Sequence, residues 1–285
     1  MDFLPVEFYE NLVLYSSSDV FRQQDLSGTV GYCAKRFMEK GYRKFVDIKN
    51  GAIDVIDYYD FFYKWKQPES VVQASKFCLE KKVGFNQRQN PPSPIDEKLK
   101  KQLKKLCLEP GMLCLVLFST KLNQAWIELF SSWRSLNSVC VADKFNKSVF
   151  TLLKKIMDQK QLLYLQFSLF SAIPSSKETD LICEFLKQPQ FLELLFTGRF
   201  QEEVKSRVMS KWEENKEQFA GKMVQWNGFG KLHDDSFVCL ERICAMIFQY
   251  RKENLVVEYW NTNAMYQTTH EEFMQNVAFS DLYFK

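Results

Sequence analysis

From about residue 95 onward the chain alternates short apolar runs with amphipathic helical stretches, and this rhythm constrains the fold more than any other feature. The strand-like runs are Met112–Phe118, Ser138–Asp143, Leu162–Ser168, Phe191–Thr197, Met223–Asn227 and Leu255–Trp260. With Leu115, Val141, Leu165, Leu194, Val224 and Val257 as their centres, the steps are 26, 24, 29, 30 and 33 residues. Helical stripes fill the intervals. Val149, Leu152, Leu153, Ile156 and Met157 make one. Leu181, Ile182, Phe185 and Leu186 make another. Val204, Val208 and Trp212 mark a third, and Phe237, Leu240, Ile243, Cys244, Ile247 and Phe248 a fourth. Apolar residues at 3.6-residue spacing bury one helix face, so such a chain stacks β–α units into an α/β fold.

Two architectures satisfy that alternation. A doubly wound sheet needs right-handed crossovers and carries a ligand loop where the strand order reverses. A leucine-rich-repeat-like solenoid needs only that each unit bury its face on its neighbours. Three units carry an L-x-x-L-x-L skeleton with conservative changes: Met112/Leu115/Leu117, Leu162/Leu165/Phe167 and Phe191/Leu194/Phe196. Short connections and the lack of Gly-rich turns favour the solenoid, although the asparagine that usually follows the skeleton is missing from those three.

The first 40 residues read as helical. Val6, Tyr9, Leu12 and Val13 recur at helix spacing, and Ser16–Asp19 punctuates before a second helix that Gly28 and Gly31 interrupt. Phe45–Lys49, Asn50-Gly51 and Ala52–Ile56 predict a hairpin, because a type I′ turn needs positive φ at both central residues. Residues 69–82 read as a short helix, and Gly84–Ile95, with three prolines, as a long loop or linker. The expected organisation is therefore a helical region over 1–44, a hairpin, helix and proline-containing loop over 45–94, and a β–α array over 95–285.

The chemistry in this sequence is sparse. Basic residues number 38 and acidic ones 35, a near balance that argues against a general nucleic-acid binder. The eight cysteines form no C-x-x-C pair and mostly sit in apolar runs, which reads as buried free thiols in a reducing compartment. The opening Met1-Asp2-Phe3-Leu4-Pro5 has no signal-peptide pattern, and the longest apolar run is far shorter than a membrane span. The expectation is a cytoplasmic location, with the nucleus left open. Of the two histidines, His233 precedes Asp234-Asp235-Ser236, which reads as the N-cap of a helix starting near Phe237 rather than as a triad. Gly228-Phe229-Gly230-Lys231 lacks the further glycine and hydroxyl of a phosphate loop and reads as a plain connection.

One charge run stands out. Lys98, Lys100, Lys101, Lys104 and Lys105 crowd a helix whose apolar line is Leu99, Leu103 and Leu106. It reads as a solvated helix packed by its leucines and capped by acidic Asp96 and Glu97, with a lipid or RNA surface as the alternative. A second alternative is an α/β enzyme whose pocket would gather Asp143, Ser168, Thr197 and Asn227 after four strands. No metal or other cofactor is called for by any cluster.

The N-terminus carries the strongest functional pattern. Leu4-Pro5-Val6-Glu7 is followed by Leu12, Leu14, Ser18-Asp19-Val20 and Ala34-Lys35-Arg36-Phe37. This resembles a degenerate F-box. With Leu26-Ser27-Gly28, Gly31 and the Lys49-Asn50-Gly51 turn, the chain is similar to two nematode-expanded families, the F-box-associated/leucine-rich-repeat-like proteins and the PALS proteins. The departure lies at Leu26–Gly31, where two glycines interrupt the expected helix. The resemblance implies F-box-like helices followed by an irregular leucine-rich-repeat-like β–α solenoid. It implies a non-enzymatic protein-interaction module. Its partner would be either a paralogous family member, in regulation of innate immunity to intracellular infection and of proteotoxic stress responses, or a Skp1-type adaptor of a ubiquitin ligase. In the adaptor case Leu4, Pro5, Glu7, Leu12 and Leu14 would face the adaptor. A protein of this kind should also gather its exposed aromatic residues on one face rather than scatter them evenly.

Overall fold

The computed structural model describes residues 4–15, 23–72, 75–87, 89, 93–169, 175–198, 200–265 and 267–285. The chain divides into two compact units, Met1–Ser138 and Val139–Lys285. Each is α/β with a mixed sheet.

In the first unit, helix α1 (Val6–Tyr15) packs Tyr9 and Val13 against Cys33, Ala34 and Phe37 of α2 (Gly28–Lys40), with Phe77 and Leu79 closing the cluster. Tyr9 and Val13 are four apart and so share a face. Glu10 ties the pair together through Arg36 at 3.3 Å and Lys76 at 3.1 Å. The two glycines do not interrupt the second helix but start it. Gly28 takes φ +79° at its first residue, and a Cβ on Gly31 would lie 1.8 Å from the Leu26 carbonyl oxygen. Gly31 is therefore a close-approach residue, which a sequence pattern reads as a breaker. The Ser16–Val20 segment lies outside the described residues.

Strands β1 (Tyr42–Lys49) and β2 (Ala52–Asp60) form the expected hairpin, with Lys49 opposite Ala52 and φ positive at both Asn50 and Gly51. The sheet runs β5-β4-β1-β2-β3, where β3 is Trp65–Lys66, β4 is Cys78–Asn86 and β5 is Met112–Leu117. β4 lies parallel to both β1 and β5. The helix expected over 69–82 is only α3 (Pro68–Val72) and a 3₁₀ turn, Ser75–Phe77; Cys78 onward is β4. Gly84–Asn86, expected at the head of a loop, also belongs to β4. The strand wins because Leu79, Lys81, Val83 and Phe85 alternate into the core, a period of two that overrides local helix preference.

Helix α4 (Glu97–Leu108) is capped as expected, Asp96 Oδ1 accepting from Leu99 N at 2.6 Å, and buries Leu99, Leu103 and Leu106. Its C-terminal end is held by Lys81, a fully buried lysine of β4. Lys81 Nζ donates to Leu106 O at 3.1 Å and to Glu109 O. A cation on the last carbonyls of a helix satisfies both their lone pairs and the helix dipole. Helix α5 (Gln124–Ser131) follows β5, and β6 (Leu136–Val141) contains the boundary between the units.

In the second unit α6 (Lys147–Met157), α7 (Ser176–Leu186) and α8 (Glu202–Glu214) alternate with β7 (Tyr164–Leu169), β8 (Glu193–Gly198) and β9 (Lys222–Asn227). A one-turn helix, α9 (Lys216–Phe219), separates α8 from β9. These three strands are parallel neighbours in chain order. The sequence centres Leu165, Leu194 and Val224 are direct partners, and so are Phe167, Phe196 and Trp226. Those three rings stack along the row at 5.9 and 5.6 Å, each nearly parallel to the next. Lys222 repeats the lysine device, donating to Pro189 O at 2.9 Å and Phe191 O at 2.6 Å.

The array ends at β9. β10 (Val238–Cys244), β11 (Ile247–Lys252), β12 (Leu255–Trp260) and β13 (Phe279–Phe284) make an antiparallel meander that joins β9 through β13, and helix α10 (His270–Gln275) precedes β13. Two expectations fall here. Leu255–Trp260 is a strand but not a sixth parallel one. The fourth helical stripe, Phe237–Phe248, is the β10–β11 hairpin. A spacing of three and four arose from two strands of period two placed on either side of a short turn. Asp234 accordingly caps no helix; its Oδ1 accepts from Ser236 N at 2.9 Å in a local turn.

Candidate interaction surfaces

Of the residues nominated at the N-terminus, Leu4, Pro5, Glu7 and Leu12 are exposed. Leu4, two residues before α1, is 46% exposed, and Phe8 and Leu12 on α1 are 48% and 46% exposed, while Tyr9 and Val13 are buried. Pro5 and Glu7 are exposed beside them, with Pro5 O accepting from Phe8 N at 3.0 Å. The Leu14 side chain lies outside the described residues. Large apolar side chains left about half exposed cost free energy that a partner would recover, at about 25 cal/mol per Å² buried.

This exposure belongs to a wider asymmetry. Among the described residues, 13 large apolar side chains are exposed in the first unit and five in the second. The aromatic ones are Phe8, Tyr32, Phe62, Tyr63, Trp65 and Phe118 in the first, and Phe229 alone in the second. Most of the exposed rings among the described residues therefore belong to the first unit.

The sheet of the first unit carries a cavity of about 280 Å³ on the face where Phe45, Asp47, Asp57, Tyr59, Lys82 and Phe118 project. Asp47 sits beneath Gly84, whose missing Cβ would stand 3.0 Å from Asp47 Oδ1 and 3.1 Å from the Phe118 ring. Burial, and then nearby Asp54, pushes the Asp47 carboxyl above its ordinary value.

On the second unit, β9, β13 and β12 bring Gln225, Asp281 and Glu258 side by side. Gln225 Nε2 donates to Asp281 Oδ1 at 2.8 Å, Tyr283 Oη to Asp281 Oδ2 at 3.3 Å, and Gln249 Nε2 to Glu258 Oε1 at 2.8 Å. Burial raises Asp281 to about 6; Gln225 pulls it down and Glu258 adds to the rise. Burial and then Asp281 also raise Glu193. None of these carboxylates was legible in the sequence, since residues 193, 258 and 281 meet only through strand order.

Both histidines, distant in sequence, enter one ring cluster. His233 Nδ1 lies 2.7 Å from Tyr259 Oη, and the His233 ring stacks on Tyr250 at 3.9 Å. Tyr250 Oη lies 2.6 Å from His270 Nε2. Burial, then Lys231, lowers His233 below its ordinary value.

Of the four residues of the alternative enzyme site, two are brought together. Ser168 and Thr197 touch at 2.9 Å on β7 and β8, but neither described cavity is lined by Asp143, Ser168, Thr197 or Asn227. Within Gly228–Lys231, Gly230 is packed: its N donates to Ser280 Oγ at 3.0 Å, and a Cβ on it would enter the Phe200 ring. The cysteines are free among the described residues, with Cys33, Cys78, Cys114 and Cys183 buried, Cys107, Cys140 and Cys244 partly so, and Cys239 exposed. Among the described residues no group of three or more His, Cys, Asp or Glu could hold a metal ion, and no helix is long and apolar enough to cross a membrane. Lys98, Lys100, Lys101, Lys104 and Lys105 are all exposed along α4.

No family model matches the chain, and no curated protein matches it.

Proposed function

We propose that this chain is a non-catalytic partner-binding protein: an F-box-like helix pair, α1 and α2, ahead of a leucine-rich-repeat-like β–α array. The observation that carries the reading is the exposure of Leu4, Phe8 and Leu12 at and just before a helix that Tyr9 and Val13 anchor to the core. A helix anchored by one apolar line while further apolar side chains stay exposed beside it is suited to a helix-to-groove partner. The array reading is supported by β7, β8 and β9 following one another in chain order with their skeleton residues in register. Regulatory pairing with a paralogue, of the kind the PALS resemblance implies, is the reading favoured; engagement of a Skp1-type adaptor is the second, favoured by the exposure of Leu4, Pro5, Glu7 and Leu12.

The test is affinity capture from lysate with mass spectrometry, beside a Leu4→Asp/Leu12→Asp variant shown to unfold at the parent's temperature. Both side chains are already in solvent, so the variant is expected to fold. A related family member captured by the parent and lost in the variant supports regulatory pairing. An adaptor and cullin lost in the variant would assign the chain to a ubiquitin ligase. Partners unchanged between parent and variant would overturn the role of these residues.

A further inference from the structure

We propose that the groove between α4 and α5 is a docking site for an acidic protein segment that carries a large apolar side chain. The groove has a volume of about 610 Å³ and lies wholly within the first unit. Its rim holds Lys100, Lys104 and Arg134, and its apolar wall Leu108, Leu129 and Trp133. Leu108, the last residue of α4, is 80% exposed. A leucine so placed beside a buried tryptophan offers a ready anchor contact.

The charge around the groove selects the partner. Of the cations on this surface, Lys100 pairs with Glu97 at 2.7 Å. Lys98, Lys101, Lys104, Lys105 and Arg134 have no carboxylate partner among the described residues. A concave rim with two uncompensated cations, Lys104 and Arg134, attracts an anion and steers its approach. Two other anionic surfaces fit less well. A membrane would need an apolar helix face to insert, yet Leu99, Leu103 and Leu106 are spent on the core at 2%, 0% and 4% exposure. A nucleic acid would need exposed rings for stacking, and the groove's one ring, Trp133, is buried. Carboxylates with one apolar anchor match what the groove presents.

The inference rests on the partner-binding reading and adds the chemistry of the partner. The two can fail separately, because lysate capture with the Leu4/Leu12 variant reports on α1 and the following assay on α4 and α5. The full chain is titrated by fluorescence anisotropy against a fluorescein-labelled peptide with leucine and phenylalanine at helix spacing among glutamates. The expected result is saturable binding that weakens as salt rises. In Lys100→Glu/Lys104→Glu/Arg134→Glu the affinity should fall by about tenfold or more, and in Leu108→Ser by about threefold, on the scale of 1.4 kcal/mol per tenfold. Both variants alter exposed side chains, and circular dichroism confirms their fold. A peptide with glutamine for glutamate should bind about tenfold more weakly or not at all. No binding of the acidic peptide, equal binding of the glutamine peptide, or full affinity in the charge-reversed variant would overturn the proposal. So would capture of phosphatidylserine vesicles or a single-stranded oligonucleotide in place of the peptide.

Discussion

Replacing Asp281 with asparagine should stabilise this protein at neutral pH. Asp281 is 3% exposed in the middle of β13, with Glu258 directly opposite. Its carboxyl is raised to about 6 from an ordinary 3.8, chiefly by burial, with Glu258 adding to the effect. The sign follows from linkage. The folded state holds the proton more tightly than the unfolded chain, so stability from this group is present below about pH 4 and lost as pH rises through about 6. The gap is about 2 pH units, which at ~1.36 kcal/mol per unit makes ionised Asp281 a burden of about 3 kcal/mol at neutral pH. Asparagine keeps an oxygen for the Gln225 amide and presents an NH₂ to the Tyr283 oxygen, so the hydrogen bonds survive. The assay is urea unfolding of parent and Asp281→Asn by tryptophan fluorescence at about pH 7.5 and about pH 4.5. The variant should be more stable by about 2–3 kcal/mol at the higher pH, the difference shrinking by more than half at the lower. Glu193, raised in part by Asp281, should titrate nearer its ordinary value in the variant. A variant less stable at neutral pH, or an offset equal at both pH values, would refute the reasoning.

Three further outcomes are expected. Gly31→Ala should destabilise by more than about 2 kcal/mol, because the new Cβ would meet a backbone carbonyl that cannot yield; an unchanged melting temperature would contradict it. Lys81→Met should fill the same volume yet cost about 1–3 kcal/mol by leaving Leu106 O and Glu109 O without their donor, seen as a lower urea midpoint at constant slope. His233, lowered first by burial, should titrate below 6.5 by NMR; its folded value is below its unfolded one, so the stability it contributes is complete above 6.5 and lost as pH falls below that point.

What the sequence foretold were the features set by local periodicity. The Asn50-Gly51 turn, the cap at Asp96 and the run of parallel strands all depend on residues a few positions apart. The strand centres Leu165, Leu194 and Val224, 29 and 30 residues apart, are directly opposite one another. The failures share a cause. Phe237–Phe248 matched a helix because a hairpin with a short turn can imitate its spacing, and only pairing with β12 decides between them. Cys78–Asn86 was hidden because Lys81, a charged residue at a core position, breaks the apolar alternation. Its ammonium is satisfied by α4, some 25 residues on, and no local window contains that partner.

The same long-range dependence explains why the candidate surfaces were only half legible. The lysines of α4 were visible as a charge run, and so was their leucine line. Whether such a helix is merely solvated or offers a site depends on what stands beside it. Leu129, Trp133 and Arg134 supply the second wall from α5 and the turn after it. Lys81 and Ser135 fix the spacing between the walls, Lys81 by holding the end of α4 and Ser135 Oγ by donating to Cys107 O at 3.1 Å. A groove held in this way from beneath is formed before any partner arrives, so little ordering would oppose binding. The buried lysine therefore joins fold to function. If Lys81→Met loosens the end of α4, it should weaken the acidic peptide as well, without altering any residue that lines the groove.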